Sequence, residues 1–207
     1  MRIAIIRHGP TEWNEAGRIQ GSIDTPLSAA GRAKMAALRP PEGFARARAF
    51  VSPLVRARET ATLLGLKNPI VDARLAEHHW GKWEGLTREE ILARDGADAF
   101  ERAGLGLEFR PPGGESAQEL RTRVNAFLGD VASGEGDAIA VAHRGIMRTA
   151  YAIATGWDMR TAMPEALDLT GALVLHLSRE TTPTLLALNV PLSAARTVSN
   201  AESGPSA

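Results

Sequence analysis

The sequence contains no cysteine among its 207 residues. This absence excludes disulfide bonds, thiolate nucleophiles and zinc sites built on cysteine. The chain also lacks an excess of charge of either sign, because Lys and Arg number 24 and Asp and Glu number 24. The charge balance therefore gives no reason to expect nucleic acid or a membrane surface as a partner. A site for an anion must depend on a few arginines that the fold brings together.

Long apolar runs are absent too. No apolar segment approaches the roughly 20 residues that a membrane-spanning helix needs. The N-terminus carries one positive charge and a very short apolar stretch, which is too little for a secretory signal peptide. We therefore expect a cytoplasmic protein. We also expect a single domain over residues 1–191, followed by a disordered tail over residues 192–207, where the residues become small and polar.

Short apolar segments alternate with segments of helical periodicity along the chain. Strands are predicted at residues 2–6, 47–51, 70–73, 138–142, 172–177 and 185–190. Helices are predicted at residues 28–38, 54–64, 91–94, 120–131 and 146–154. This alternation is typical of a three-layer α/β fold, with a mostly parallel sheet and helices on both faces. The short polar segment before the last strand predicts a hairpin, and hence one antiparallel edge.

Several predicted helices carry start signals. Ser52 followed by Pro53 is the pattern of an N-cap with proline in the first helical position. Thr87 and Ser116 each precede a glutamate by three residues, which predicts a capping box at two further helix starts. Residues 104–114 contain consecutive prolines and glycines and are predicted to be a loop.

Two predicted strands end in a histidine beside an arginine. Arg7 and His8 follow the first strand, and His143 and Arg144 follow the fourth. Ligands of open α/β sheets bind beyond the carboxyl ends of the strands. The pattern therefore predicts that the two imidazoles meet in one crevice. Alone, the first cluster would also fit an ordinary polar strand end, and the second would fit a histidine that caps the following helix.

The polar loop that follows the first strand offers candidate binding groups. Asn14 and Gln20 could donate amide hydrogens, and Gly21 permits the close approach of an oxyanion. A plain connector of turn-forming residues fits this loop equally well. Arg56 and Arg58 lie near the start of a predicted helix, where cations oppose the helix dipole unless one faces a bound anion. We assign that function to Arg56 and a solvated surface position to Arg58.

Two carboxylates near tryptophans are candidate general acids. Glu77 and Glu84 lie in a segment rich in aromatic and titratable groups, where a carboxyl can serve as a proton donor. His78 and His79 are adjacent, so they point in opposite directions on an extended chain and do not suit a metal-binding pair. We therefore expect neither a metal nor a cofactor.

Taken together, these segments resemble the histidine phosphatase superfamily, in the branch that includes cofactor-dependent phosphoglycerate mutase. The resemblance covers nearly the whole chain, in the order of the family's motifs. It rests on residues 7–14, 17–21, 24–28 with Gly31, 52–61, Glu77 with 81–85, 114–116 and 142–145. Each short piece is unspecific, but their succession in order is specific. The resemblance implies a phosphoglycerate mutase-like fold and a small phosphorylated substrate, and it leaves a homodimer open.

The resemblance also implies a mechanism of phosphoryl transfer. His8 would attack the phosphorus atom and become phosphohistidine, while Glu77 would protonate the departing alcohol and then act as a base toward water. The residues that would hold the phosphoryl oxygens are Arg7, Arg56 and His143, with Asn14, Gln20 and the Gly21 amide in support. Several donors directed at one dianion can make a metal unnecessary.

The chain departs from the family's pattern at two positions. Family members usually carry an acidic residue where this chain has Pro10, and proline removes a backbone donor there. The second histidine of the family is commonly followed by two small residues, whereas here Arg144 comes first. Arg144 would either extend the anion site or face solvent.

Three functions compete at this point. A metal-independent phosphomonoesterase is the leading interpretation, because phosphoglycerate mutases of the family carry an added basic segment. Residues 86–114 are short and hold Arg88, Arg94, Arg102 and Arg110 without clustering them. A phosphoglycerate mutase is the alternative. A phosphate-binding module without catalysis is the third, and the intact set of candidate catalytic residues argues against it.

Overall fold

The computed structural model describes residues 1–195 and contains eight strands and seven α-helices in that range. The strands are β1 (Arg2–Arg7), β2 (Leu38–Arg39), β3 (Arg48–Val51), β4 (Ile70–Val71), β5 (Ala138–Ala142), β6 (Ala172–His176), β7 (Thr184–Val190) and β8 (Ser193–Ala194). The helices are α1 (Glu12–Glu15), α2 (Ala29–Ala36), α3 (Val55–Leu63), α4 (Arg88–Asp95), α5 (Ala99–Arg102), α6 (Ala117–Ala132) and α7 (Arg144–Thr155). No helix within these residues is long and apolar enough to cross a membrane.

Six of the strands form one sheet, in the order β4-β3-β5-β1-β6-β7. Strands β4, β3, β5 and β1 run parallel to one another. Strand β6 pairs antiparallel with β1, and β7 returns beside β6 as the second strand of the hairpin. The predicted sheet, mostly parallel with one antiparallel edge, is therefore confirmed.

Helices cover both faces of this sheet. On one face α6 and α7 pack against inward side chains such as Ile5 and Ala140. On the other face α2 and α3 pack against Ile6 and Val141. Because β1 and β5 are covered on both faces, their sequences are continuously apolar and do not alternate with polar residues. The predicted three-layer arrangement is confirmed.

A smaller apolar cluster lies beside the sheet. Trp83, Ile91 and Ala99 form its buried part, and Phe100 and Phe109 pack against them. The indole N–H of Trp83 donates to a carboxylate oxygen of Asp95 at 2.7 Å. The capping box predicted at Thr87 is present at the start of α4, and the one predicted at Ser116 is present at the start of α6.

Helix α3 does not begin where the sequence pattern predicts. Its N-cap is Leu54, and no side chain caps it. Ser52 is buried and its hydroxyl lies 2.7 Å from Nε2 of His143. The same hydroxyl oxygen accepts from the backbone N–H of Leu54 at 3.3 Å, but helix α3 begins only at Val55, so Ser52 lies ahead of the N-cap position.

The predicted tail differs from the structure in its first residues. Ser193 and Ala194 form β8, which pairs antiparallel with β2 in a separate two-stranded sheet. The backbone N–H of Ala195 donates to the carbonyl of Ala37 at 2.8 Å. These backbone hydrogen bonds hold residues 193–195 in a defined conformation, although their composition predicts disorder. Residues 196–207 of the predicted tail lie outside the described residues.

Candidate active site

A cavity of about 520 Å³ opens at the carboxyl ends of β1 and β5. Arg7 pairs with Ala142 in the last rung of these two strands, which brings His8 and His143 side by side. The centroids of the two imidazole rings are 5.1 Å apart, as the two strand ends predict. Seven of the eight predicted site residues line the cavity: Arg7, His8, Asn14, Gln20, Gly21, Arg56 and Glu77.

The ring of His8 is held in a defined orientation. Its Nδ1 lies 2.7 Å from the carbonyl oxygen of Gly9. A carbonyl only accepts hydrogen bonds, so Nδ1 carries the hydrogen and Nε2 keeps a free lone pair. Burial lowers the pKa of His8 well below 6.5, and the charges of Arg7 and Arg56 lower it further. The imidazole is therefore neutral and can act as a nucleophile at neutral pH.

His143 lies beside His8 and is fully buried. Its Nε2 contacts the hydroxyl of Ser52, and that hydroxyl oxygen accepts from the backbone N–H of Leu54. When the hydroxyl of Ser52 donates to Nε2, the ring hydrogen of neutral His143 lies on Nδ1. Within residues 1–195 this Nδ1 is buried without a hydrogen-bond partner. Of the predicted site residues in this range, His143 alone lies outside the cavity wall.

Arg7 and Arg56 supply positive charge beside His8. The guanidinium of Arg56 is fully buried and donates to the carbonyl oxygens of Ile23 at 2.8 Å and Gly21 at 2.7 Å. Nε of Arg7 and Nε of Arg56 are buried with no partner in residues 1–195. Burial lowers the pKa of both arginines, and the carboxylate of Glu77 opposes this effect. Exposed Arg58 lies outside this arrangement, as predicted.

Glu77 is held at the start of α7. One of its carboxylate oxygens accepts from the backbone N–H of His78 at 2.8 Å and from that of Gly145 at 3.1 Å. The other oxygen accepts from Gly145 at 3.2 Å. A Cβ atom on residue 145 would lie 2.2 Å from Oε1 of Glu77, so the glycine is what allows the carboxylate to sit here.

Asn14 and Gln20 present amide hydrogens to the cavity because their oxygens are engaged elsewhere. Oδ1 of Asn14 accepts from the backbone and the hydroxyl of Thr11, in the capping box of α1. Oε1 of Gln20 accepts from the hydroxyl of Thr25 at 2.6 Å. Both NH₂ groups are therefore left to donate.

Glu84 does not line the cavity, and its carboxylate binds backbone groups of neighbouring segments instead. Its carboxylate accepts from the backbone N–H groups of Ser22 and Trp80, at 2.8 and 3.0 Å. A Cβ atom on residue 21, whose φ is +54°, would lie 2.0 Å from this carboxylate. Gly21 is thus needed both for its left-handed backbone conformation and for the space it leaves to Glu84.

Pro10 is used through its carbonyl group. The carbonyl oxygen accepts from the backbone N–H of Ser28 at 3.0 Å, which ties the loop to the start of α2. A Cβ atom on Gly31 would lie 2.1 Å from the same oxygen. The missing N–H of the proline therefore does not prevent the loop from being anchored.

The cavity is also lined by polar residues that were not among the predicted site residues, Arg18 included. Arg88, Arg148 and Thr149 line the cavity, as does Arg144, whose position the sequence left open. Residues 144 and 148 are four apart on α7 and so share one face of the helix. That spacing, directly after the second histidine, is a signal that could have identified Arg148. Within residues 1–195, no group of three or more His, Asp or Glu side chains is arranged to hold a metal ion.

The buried histidines predict how stability depends on pH. In the unfolded chain they titrate near 6.5, whereas in the folded chain burial keeps His8, His78 and His143 neutral to lower pH. Below that value the unfolded state binds more protons, so the free energy of unfolding falls as pH falls. Each such histidine contributes roughly 1.4 kcal/mol per pH unit.

Urea unfolding between about pH 7.5 and pH 5.5 measures this slope. The variant His8→Asn should have a shallower slope than the parent chain. Equal slopes for His8→Asn and the parent chain would contradict the expectation.

The sequence profile of the histidine phosphatase superfamily (branch 1) matches residues 3–191. The chain therefore belongs to the histidine phosphatase superfamily and is an enzyme of that class. The resemblance inferred from the motifs is confirmed.

Relatives and solved structures give a consistent picture. The chain is 33% identical over 160 residues to the glucosyl-3-phosphoglycerate phosphatase of Mycobacterium tuberculosis, covering 70% of this chain and 71% of that protein. It is 31% identical over 195 residues to the 2,3-bisphosphoglycerate-dependent phosphoglycerate mutase of Methylobacterium radiotolerans, covering 87% and 91%. A crystal structure of mycobacterial glucosyl-3-phosphoglycerate phosphatase with VO3 matches with a TM-score of 0.76 and 27% identity, covering 91% and 98%. Similar proteins thus include both phosphatases and mutases.

Proposed function

We propose that the chain is a metal-independent phosphomonoesterase that hydrolyses a small phosphorylated metabolite through a phosphohistidine on His8. The observation that carries the proposal is the orientation of His8. Gly9 holds the hydrogen on Nδ1, so the unprotonated Nε2 is the atom available to the cavity. Arg7 and Arg56 lie beside it, with Nε atoms that have no partner in residues 1–195, and Glu77 lines the same cavity.

The first chemical step transfers the phosphoryl group to His8. Nε2 forms a bond to phosphorus while the bond from phosphorus to the alcohol oxygen breaks. The protonated carboxyl of Glu77 gives its hydrogen to the departing oxygen. In the second step the Glu77 carboxylate takes a hydrogen from water, and the water oxygen attacks phosphorus. The N–P bond then breaks, which releases phosphate and restores neutral His8.

The phosphoryl oxygens would be held by donors already in place. The guanidinium groups of Arg7 and Arg56 supply charge, and a bound oxygen would give their buried Nε atoms a partner. His143 would donate from Nδ1, in the tautomer whose Nε2 accepts from Ser52. Further donors are the NH₂ groups of Asn14 and Gln20 and the backbone N–H of Gly21. These donors balance the dianion without a metal in the proposed mechanism.

The dispersal of basic residues in the segment before α6 favours hydrolysis over the mutase alternative. Arg94, Arg102 and Arg110 form ion pairs with Asp95, Asp98 and Glu119 respectively. None of these three arginines lines the cavity. Arg88 is the one arginine of this segment that lines the cavity, within the described residues. The segment therefore does not provide the clustered basic residues that the family's mutases use.

A screen of phosphate release tests the proposal, with EDTA present and a panel that includes sugar phosphates, phosphoglycerates and glucosyl-3-phosphoglycerate. We expect hydrolysis of at least one ester at a rate that EDTA does not reduce. Isomerisation of 3-phosphoglycerate that depends on 2,3-bisphosphoglycerate, and is faster than hydrolysis of any ester, would establish the mutase instead. Hydrolysis that EDTA abolishes would contradict metal independence.

A glycine substitution tests the position assigned to Glu77. Gly145→Ala places a methyl group 2.2 Å from Oε1 of Glu77 and must displace the carboxylate. We expect kcat to fall by about 100-fold, since misplacement of a catalytic group by about 1 Å costs that much. Helix α7 itself should tolerate the change, because alanine favours a helix more than glycine does.

The matched control is Gly129→Ala, in the interior of α6, where a Cβ atom meets nothing within 4 Å. This variant should keep the parental kcat and unfold at a slightly higher temperature. An unchanged kcat in Gly145→Ala would show that Glu77 is not the proton donor at this position.

A further inference from the structure

The wall of the cavity carries more positive charge than one phosphoryl group requires. Six arginines and one carboxylate, Glu77, line it within the described residues. The arginines are Arg7, Arg18, Arg56, Arg88, Arg144 and Arg148. Of these six, the proposed mechanism uses Arg7 and Arg56. Arg18 is paired with Glu90, and Arg88 lies over the ring of Phe100, 4.2 Å from its centroid.

Arg144 and Arg148 remain, and they lie one turn apart on the same face of α7. Neither forms an ion pair with any residue from 1 to 195. Like charges four residues apart destabilise a helix, and cations in the first turn oppose its dipole. The pair is therefore unfavourable for the helix and has no acidic neighbour on the helix to offset it.

The surroundings of Arg148 contain three polar side-chain atoms without partners in residues 1–195, one of which is the indole Nε1 of Trp157. Nε of Arg148 is buried and unpartnered within the described residues, and so is the hydroxyl oxygen of Thr149. Thr149 is 1% exposed, yet it belongs to the wall of the cavity. The guanidinium of Arg148 lies 5.3 Å from the ring centroid of Trp157, which limits its movement. Buried donors of this kind are normally satisfied, so an absent acceptor is indicated.

These groups lie on the side of the cavity where the alcohol departs. Gly145, between the two arginines in sequence, donates its backbone N–H to the carboxylate of Glu77. Glu77 is the group that protonates the leaving oxygen in the proposed mechanism. An anion held by Arg144 and Arg148 would accordingly belong to the alcohol part of the substrate and not to the transferred phosphoryl group.

We propose that Arg144, Arg148 and Thr149 form a second anion subsite, which binds a carboxylate or a second phosphate on the alcohol part of the substrate. The inference rests on the proposed function, since it takes the phosphoryl group to be held at His8. It assigns the substrate to the class of phosphomonoesters whose alcohol carries another negative charge. This role also accounts for Arg144 at a position where the family commonly has a small residue.

Equilibrium binding to the His8→Ala chain tests the subsite without turnover. Two ligands are compared by calorimetry, 3-phosphoglycerate and glycerol 3-phosphate, which differ only in a carboxylate against a hydroxymethyl group. Fructose 1,6-bisphosphate and fructose 6-phosphate make the corresponding comparison for a second phosphate. We expect the additional anion to tighten binding by about 10- to 100-fold in at least one of the two pairs.

Substitution of the arginines completes the test. In the same background Arg144→Gln and Arg148→Gln should each remove most of the advantage of the ligand with the second anion, and Arg148→Lys should restore part of it. Thr149→Val should reduce the advantage while preserving side-chain shape. The control is Arg58→Gln, an exposed arginine on α3 outside the cavity, which should leave the advantage intact.

Equal affinities within both ligand pairs would overturn the subsite, as would an advantage that survives the double substitution of Arg144 and Arg148. A loss of affinity that is the same for both members of a pair would also overturn it, since the arginines would then serve the phosphoryl group or the fold. Failure of the proposed function is read separately, from the absence of ester hydrolysis by the parent chain.

Discussion

Replacing His8 with alanine is expected to lower the rate of ester hydrolysis by about 10⁴-fold or more, because the substitution removes the nucleophile itself. Burial keeps the His8 ring neutral, and the hydrogen bond to Gly9 directs the lone pair of Nε2 to the substrate. Alanine offers no atom that can bond to phosphorus. The measurement is phosphate release under saturating ester, with circular dichroism to verify folding.

His79→Ala is the matched control for this experiment. His79 lies close to the site in sequence, but its side chain is exposed, with Nε2 3.9 Å from a carboxylate oxygen of Glu84. We expect hydrolysis by this variant to equal that of the parent chain. Turnover by His8→Ala within about tenfold of the parent would contradict covalent catalysis at His8, since removing a nucleophile costs far more than that.

The second large effect is expected from Glu77→Gln. Glutamine keeps an oxygen that can accept from Gly145 and His78, so the local structure should persist. It cannot donate a hydrogen to the leaving oxygen in the way a carboxylic acid does. We therefore expect kcat to fall by about 10²- to 10⁴-fold for an alkyl phosphate.

The dependence on leaving group distinguishes proton donation from a structural role. Phenolate from p-nitrophenyl phosphate departs without protonation, so Glu77→Gln should affect phosphoryl transfer from this ester much less than from an alkyl phosphate. Glu84→Gln serves as the control, because that carboxylate holds Ser22 and Trp80 and should show no such dependence. Equal losses for both esters in Glu77→Gln would contradict the assignment.

The central fold could be predicted because its strands have strong local signals. Strands β1 and β5 are buried on both faces, so their sequences are continuously apolar and easy to recognise. Ligand sites of open α/β sheets lie at the carboxyl ends of the strands, and this rule places His8 beside His143. Strands β2 and β8 could not be predicted. Each has two residues, too few for any periodicity, and their pairing joins positions far apart in the chain.

Site residues that lie in recognisable motifs could be predicted from the sequence. Positions that depend on contact with a residue distant in the chain could not. Seven predicted residues line the cavity. The position of His143 behind the cavity wall depends on Ser52, 91 residues away, and no local pattern reveals that contact. The role of Glu84 likewise depends on the approach of residues 21 and 22, which the sequence separates from it by more than sixty positions.

Trapping the phosphorylated enzyme is the most direct test of covalent catalysis at His8. Turnover is stopped in alkali within the first cycle, since phosphohistidine survives alkali and is lost in acid, and the phosphorylated residue is located by mass spectrometry. We expect a phosphoryl group on His8, and none when the chain carries His8→Ala. Phosphate recovered on Glu77 or another residue, and never on His8, would contradict it.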